Sequence, residues 1–216
     1  MYQNKYQGQF FTVFHSIGSK PLANWKYQIK NGRCTRVMED GSLVLELIGQ
    51  NVTTCFIYSP IEPFKSMGIR LPCVTFIIKN LQKFFTFEIG IRDSDNQLRR
   101  FQASNFLNRS RYSTFRIQMP LRLDDGWNKI EIDLADFTQR AYGTDYIETV
   151  EIRLNANVRL RRIFFSDRLY AEDEKPEEYQ FHGNIVNNFN FNDTHGCDHI
   201  PIRKCCIQCT FFENNK

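Results

Sequence analysis

Apolar and polar residues alternate strictly in three short segments of the chain, 114–119, 129–134 and 150–155. In the first of them the apolar positions are Phe115, Ile117 and Met119. A period of two places successive side chains on opposite faces, so each segment predicts a strand with one buried face. Runs rich in β-branched and aromatic residues, which favour strands, span 43–48, 52–58, 74–78, 84–91 and 160–165.

Turn-forming pairs separate several of these segments. Asn31-Gly32, Asp40-Gly41 and Asp125-Gly126 each supply the positive φ angles that a tight hairpin requires. Strands at this spacing, joined by such turns, predict an all-β fold built as a sandwich or a barrel.

One segment, 134–142, is typical of a helix. Asp136 lies early in it, Arg140 lies late, and Gly143 follows as a stop signal. We therefore expect a single short helix within an otherwise β domain.

The composition changes near residue 171, where an acidic, turn-prone stretch begins. We predict one β-sandwich domain over 1–178 and an irregular C-terminal tail over 179–216. Most phenylalanines up to Phe165 fall on strand positions that face a core. The remaining ones lie in the tail, which should dock on the domain or bind a partner; they are Phe181, Phe189, Phe191, Phe211 and Phe212.

Overall composition is that of an ordinary soluble domain, with 42% hydrophobic and 24% charged residues among 216. No apolar run approaches the ~18 residues of a membrane span, so we expect no membrane partner. The first ten residues lack the basic and apolar regions of a signal peptide. We therefore expect a reducing intracellular compartment, in which the seven cysteines are free thiols.

Motifs for catalysis are missing from the sequence. No phosphate-binding glycine loop occurs, and the domain contains one histidine, His15, for any nucleophilic triad. Asp124 and Asp125 could form an acid–base pair, but two acids before Gly126 and Trp127 are more typical of a structural turn. We predict no enzyme activity and no cofactor.

The tail contains the only plausible metal site. Cys206 and Cys209 have the spacing with which two thiolates reach one zinc ion. The other potential ligands are His195, Cys197 and His199. A single pair of this kind is also compatible with incidental thiols in a tail.

Arginine is concentrated between residues 91 and 170. Candidates for binding an acidic partner are Arg153, Arg159, Arg161, Arg162 and Arg168. Strand periodicity predicts that Arg159 and Arg161 share one face, with Arg162 on the other. The alternatives are a solvated strand edge or nucleic-acid binding, the latter with Phe84, Phe85 and Phe87 as stacking groups.

Longer motifs resemble a known family. They include 16–22 (SIGSKPL), 68–72 (GIRLP), 119–128 (MPLRLDDGWN) and 165–170 (FSDRLY). In this order they resemble the cilia- and flagella-associated protein 20 family, whose members lie at the inner junction of axonemal doublet microtubules. The resemblance covers nearly all of 1–178. The tail has no counterpart in it, which indicates a divergent member.

That resemblance implies a single jelly-roll β-sandwich without enzyme activity. It implies a structural protein that links A- and B-tubules, supports ciliary stability and motility, and has tubulin and neighbouring inner-junction proteins as partners. The location would be the cytoplasm, cytoskeleton and axoneme of the cilium or flagellum, with the basal body or nucleus as further sites. Two alternatives stay open: a carbohydrate-binding sandwich that uses Trp25 or Trp127, and a nuclear protein associated with nucleic acid.

Overall fold

The computed structural model describes residues 1–181. That part of the chain contains thirteen strands and one α-helix, α1 (Leu134–Tyr142), and two 3₁₀ turns follow at Glu172–Glu174 and Glu177–Tyr179. The strands are β1 (Phe10–His15), β2 (Lys26–Ile29), β3 (Gly32–Glu39), β4 (Ser42–Gly49), β5 (Cys55–Ser59), β6 (Cys73–Asn80), β7 (Thr86–Asp93), β8 (Leu98–Ser104), β9 (Arg111–Tyr112), β10 (Arg116–Pro120), β11 (Gly126–Asp133), β12 (Tyr146–Asn155) and β13 (Val158–Ser166).

Two packed sheets form a β-sandwich. The first sheet has the order β11-β6-β13-β4-β3, and β1 also pairs with β13; the second has the order β2-β5-β12-β7-β8-β10-β9. Within them, β4-β13-β6-β11 and β5-β12-β7-β8 have the strand order of an eight-stranded jelly roll. The predicted all-β sandwich of jelly-roll type is confirmed.

The helix has the predicted bounds. The carboxylate of Asp133 caps its N-terminus by accepting a hydrogen bond from the backbone N–H of Asp136, and Gly143 ends it at φ 66°. Phe137 on this helix packs edge-on against Phe101 of β8, with ring centroids 5.9 Å apart. The helix therefore closes one end of the sandwich over the core. No helix in residues 1–181 is long and apolar enough to cross a membrane.

Two of the three alternating segments, 129–134 and 150–155, bury the faces that their pattern predicts. Ile130, Ile132 and Leu134 are buried, as are Ile152 and Leu154. Large aromatic side chains fill the space between the sheets, and the fully buried ones in this core are Phe14, Phe76, Phe85, Phe87, Phe101 and Phe165. Burying aromatic side chains of this size is a dominant source of core stability.

Two phenylalanines depart from the predicted pattern. Phe115 was expected to face the core but is 55% exposed, because β10 begins one residue later, at Arg116. Phe84 is also exposed, because it lies before the start of β7. Its ring contacts that of Phe106 outside the core, with centroids 5.3 Å apart. Strand periodicity applies only from the residue where pairing starts.

The three predicted hairpins have different outcomes. Asp40 and Gly41 join β3 to β4 in a two-residue turn with φ of 50° and 74°, as predicted. The other two predictions are wrong, because Asn31-Gly32 and Asp125-Gly126 connect strands of different sheets. Asn31 and Gly126 do have positive φ, but this geometry allows a sharp change of direction without requiring that the flanking strands pair.

A buried ion pair stabilises the end of the β7–β8 hairpin. Arg99 Nε donates to Asp93 Oδ2 at 2.7 Å, and its guanidinium lies 4.4 Å from the ring centre of Tyr142. Thr144 and the backbone of Gln97 also donate to this carboxylate. Burial opposes ionisation of Asp93, but the hydrogen bonds from Arg99 and Gln97 outweigh it and lower the pKa of Asp93.

Replacing Arg99 by alanine should destabilise the domain by about 3–5 kcal/mol, because it leaves the buried charge of Asp93 unpaired. Urea unfolding would measure the change, and Lys26→Ala, which removes an exposed pair with Glu62, is the matched control. Equal unfolding midpoints for the two variants would contradict this assignment.

In the native protein the stability due to Asp93 should be complete above its ordinary pKa of about 3.9 and should decrease as pH falls through the lowered folded value.

Candidate functional site

The predicted arginines do not form one cluster. Arg159, Arg161 and Arg162 lie on β13 in the first sheet, and Arg168 follows the end of that strand. Arg153 lies on β12 in the second sheet. Because the outer faces of a sandwich point in opposite directions, Arg153 cannot share a partner surface with the arginines of β13.

A β-bulge places three arginines of β13 on the same face. Leu160 pairs with Ile78 of β6, and Arg162 pairs with the next residue, Ile77, so Arg161 is the extra residue. Ile163 and Phe165 still face the core beyond the bulge. The prediction that Arg162 points to the opposite face from Arg161 is therefore wrong, because a bulge interrupts the period of two.

Arg159 is occupied by internal ion pairs. It donates from Nε to Glu46 Oε2 at 2.8 Å and also contacts Glu39, which in turn binds Lys79. Arg33 binds the other oxygen of Glu46 at 2.8 Å. Burial opposes ionisation of Glu46, but the hydrogen bonds from Arg33 and Arg159 lower its pKa. This network joins β3, β4, β6 and β13, and it leaves Arg159 with two carboxylate partners of its own.

Arg153 and Arg168 also have local partners. The guanidinium of Arg153 lies 3.6 Å from the ring centre of Phe56 and donates to the Thr53 carbonyl. Arg168 pairs with Glu174 at 3.0 Å and lies 4.0 Å from the ring centre of Tyr170. Such contacts account for these two side chains without an external ligand.

Arg161 and Arg162 line a cleft of about 470 Å³, here called the β13 cleft. Its other lining residues are His15, Ile17, Asp40, Ile77, Trp127, Phe164, Glu178, Tyr179, Gln180 and Phe181. Arg161 lies 4.0 Å from the ring centre of Trp127, and its distance to the Asp40 carboxylate is 4.0 Å, too long for a hydrogen bond. Its Nε–H is buried without an acceptor.

Arg162 is held by neutral acceptors. It donates to the backbone carbonyl of Glu178 and contacts His15 Nε2 at 3.1 Å, and its guanidinium lies 5.2 Å from the ring centre of Tyr179. Burial, with the nearby charge of Arg161, lowers the pKa of Arg162. Burial, followed by the charge of Arg162, lowers the pKa of His15. The cleft therefore combines two guanidiniums with a histidine that favours its neutral form.

The segment 172–181 forms one wall of the β13 cleft. Glu172 anchors it by accepting hydrogen bonds from Lys129 at 2.5 Å, from Lys175 at 2.7 Å and from the backbone N–H of Phe181 at 2.7 Å. Burial opposes ionisation of Glu172, but the hydrogen bonds from the two lysines lower its pKa to about 2. Tyr179 stacks on Phe10, with ring centroids 4.7 Å apart.

Phe181 is buried against the domain, with 8% of its surface exposed. The sequence assigned this residue to the tail, and the structure shows that it docks on the sandwich. The other tail phenylalanines lie outside the described residues.

The predicted turn residues connect the two sheets. Asn128 organises them, since its side chain accepts from the backbone N–H of Asp124 and donates to the carbonyls of Asp124 and Gly126. Asp125 accepts from Gln82 at 2.9 Å. Trp127 donates from its indole N–H to Asp40 at 2.7 Å. These contacts fit a structural turn that places Trp127 beside Arg161.

The proposed zinc ligands, His195, Cys197, His199, Cys206 and Cys209, lie outside the described residues. Within residues 1–181 no group of three metal-ligating side chains occurs. Cys34, Cys55 and Cys73 are free thiols. Burial raises the pKa of Cys34 to about 11 and that of Cys73 to about 12, so neither forms a reactive thiolate at neutral pH.

His15, Trp127 and Tyr179 belong to the cleft, but sequence reasoning did not connect them with the arginines. His15 lies 147 residues from Arg162 in the chain. The sequence places Trp127 in a turn and in the family motif 119–128, and offers it as a carbohydrate contact, but does not connect it with an arginine. A signal was present in the adjacent Arg161 and Arg162, which the strand pattern assigned to opposite faces.

Comparison with known proteins identifies the family. The CFA20 domain matches residues 1–183. Cilia- and flagella-associated protein 20 of Paramecium tetraurelia is 50% identical over 182 residues, which cover 83% of this chain and 95% of that protein. The Chlamydomonas reinhardtii protein of the same name is 50% identical over 182 residues (83% and 96%), and that of Caenorhabditis elegans 47% over 184 residues (84% and 91%). The chain belongs to the cilia- and flagella-associated protein 20 family.

Similarity to solved structures is much weaker. An exo-β-agarase aligns with a TM-score of 0.35 and 12% identity, covering 73% of this chain and 25% of that chain. The family 11 carbohydrate-binding module of a Clostridium thermocellum cellulase aligns with a TM-score of 0.34 and 14% identity, covering 72% and 95%. Scores of this size carry no argument about ligands.

Glu172→Gln should loosen the segment 172–181, because an amide cannot accept charged hydrogen bonds from two lysines equally well. We expect amide exchange in 172–181 to become about tenfold faster, which corresponds to a loss of about 1.4 kcal/mol. Hydrogen-exchange mass spectrometry would measure it, with the exposed Glu177→Gln as control.

The same segment should respond to acid. Since the folded pKa of Glu172 is about 2, its stabilising effect should be present above its ordinary pKa of about 4.3 and should be lost as pH falls towards 2. Unchanged protection of 172–181 in the Glu172→Gln variant would show that this anchor is not required.

Proposed function

We propose that the chain is a non-catalytic structural protein of the ciliary or flagellar axoneme. In this proposal it binds doublet microtubules, links the A- and B-tubules at the inner junction, and supports ciliary stability and motility. Membership of the family, with alignment over 91–96% of the length of three relatives, supports a ciliary role. Its partners are tubulin and neighbouring axonemal proteins.

The β13 cleft is the observation that supports tubulin binding. Arg161 and Arg162 have no carboxylate within hydrogen-bonding distance among the described residues, whereas Arg159 has two. Tubulin is acidic, so guanidiniums that have no hydrogen-bonded carboxylate of their own are suitable groups for contacting it. Of the five candidate arginines we assign the tubulin contact to these two.

A non-catalytic role agrees with the contacts of the ionisable groups. His15, the one histidine in residues 1–181, contacts the guanidinium of Arg162 and not a serine or cysteine. The carboxylates of Asp93, Glu46 and Glu172 are all held by arginine or lysine. Groups that are engaged in this way are suited to stabilising the fold.

The alternative functions receive less support from the structure. A carbohydrate platform needs an exposed flat ring, but Trp25 is buried and Arg161 covers one face of Trp127. Of the three phenylalanines considered for stacking on bases, Phe85 and Phe87 are buried and only Phe84 is exposed.

The purified chain should pellet with axonemal doublet microtubules at low salt and should be released as the Debye length falls from ~10 Å at 0.1 M to ~3 Å at 1 M salt. Because singlet microtubules have no inner junction, pelleting with them should be several-fold weaker. A tagged copy should localise along the cilium. Failure to pellet with doublets together with absence from cilia would refute the proposal, and equal binding to singlets would refute the inner-junction part.

A further inference from the structure

We propose that the β13 cleft is a binding site for a glutamate side chain of an extended acidic peptide, with the carboxylate held between Arg161 and Arg162. This inference rests on the proposed function for the source of the peptide. The cleft itself is defined by described residues on β1, β11, β13 and the segment 172–181.

The bulge in β13 creates the pair of guanidiniums. In a regular strand, neighbouring residues point to opposite faces, so two adjacent arginines could not bind one small anion. The extra residue at Arg161 turns Arg162 back onto the outer face while Leu160 and Ile163 both remain in the core. Bulges are known to redirect side chains beside functional sites.

Both guanidiniums are held in place without a hydrogen bond to a carboxylate. Arg161 packs on Trp127, which is itself fixed by its hydrogen bond to Asp40. Arg162 is held by a backbone carbonyl and by His15 Nε2, which accepts only when the histidine is neutral. Since neither arginine must leave a carboxylate before binding a ligand, the site is preorganised for an anion.

The charges around the cleft favour a singly charged ligand. Asp40 and Glu178 also line the cleft, and their carboxylates would repel a phosphate dianion more strongly than a single carboxylate. Besides the two arginines, His15 and Tyr179 are the other titratable groups in the lining. The lining therefore holds two positive and two negative side chains, so a ligand with one negative charge is accommodated more easily than a ligand with two.

The size and the apolar walls favour glutamate within a peptide. The volume of about 470 Å³ is within the range of small-ligand sites. Ile17, which lines the cleft and is 53% exposed, offers apolar surface for the two methylenes of a glutamate side chain. The Arg161 side chain is 32% exposed although its Nε–H is buried, so a carboxylate would reach this guanidinium through its terminal nitrogens.

Binding of a ten-residue polyglutamate peptide to the full-length chain, measured by isothermal titration calorimetry, would test the inference. We expect saturable binding of this peptide, and none of polyglutamine of the same length. Arg161→Ala with Arg162→Ala should weaken the affinity at least tenfold. The control, Arg109→Ala with Arg111→Ala, removes the same charge from exposed positions near β9 of the second sheet and should change the affinity less than twofold.

A conservative variant distinguishes loss of the binding site from loss of the fold. Arg161→Lys with Arg162→Lys keeps both charges but loses the planar fork, so we expect an affinity several-fold weaker with an unchanged thermal midpoint. Equal weakening by the cleft and control variants, or no binding by the folded native chain, would overturn the inference. Inorganic phosphate that displaces the peptide at lower concentration than glutamate does would also overturn it.

The two proposals can fail separately. Loss of peptide binding, with doublet pelleting intact, would remove the cleft assignment and leave the proposed function standing. Peptide binding that depends on Arg161 and Arg162 in a chain that neither pellets with doublets nor enters cilia would support the site and reject its assignment to the axoneme.

Discussion

The hydrogen-bond ladder between β13 and its neighbours holds the first sheet together. One edge of β13 pairs with β6 along nearly its whole length, while the other edge pairs first with β4 and then with β1. Most of its apolar residues, including Leu160, Ile163 and Phe165, enter the core. Both the N-terminal strand and the wall of the cleft therefore depend on the register of this one strand.

The same strand explains why the sequence predicts the core better than the surface. Alternation correctly assigned Ile130, Ile132 and Leu154 to the interior, because every second residue of a strand with one buried face points into the core. A bulge adds a residue without breaking the apolar pattern on either side. Arg161 and Arg162 are adjacent in the sequence, and nothing in that adjacency indicates that both point outwards.

Charge partners are another property that local sequence does not contain. The arginine-rich segment suggested a binding surface, yet Arg159 bonds to Glu46, 113 positions away, and to Glu39, 120 positions away. Only the jelly-roll order, which places β3, β4 and β13 side by side, brings these groups together. The strands that a turn connects are likewise not determined by the turn residues alone. Asp40-Gly41 closes a hairpin, whereas Asp125-Gly126 connects strands of different sheets. The helix 134–142 was predictable because its cap, its charges and its stop signal are all local.

The bulge also allows the outer surface of this protein to change during evolution while the core pattern of β13 stays the same. If a single codon for Arg161 were deleted, Val158, Leu160, Ile163 and Phe165 would still alternate with outward residues, so the core would keep its composition and spacing. One arginine of the outer face would disappear, and the cleft would lose half of its guanidiniums. A jelly roll of this kind can thus gain or lose a surface arginine by the insertion or deletion of one residue, at little expense to the packing that makes it stable.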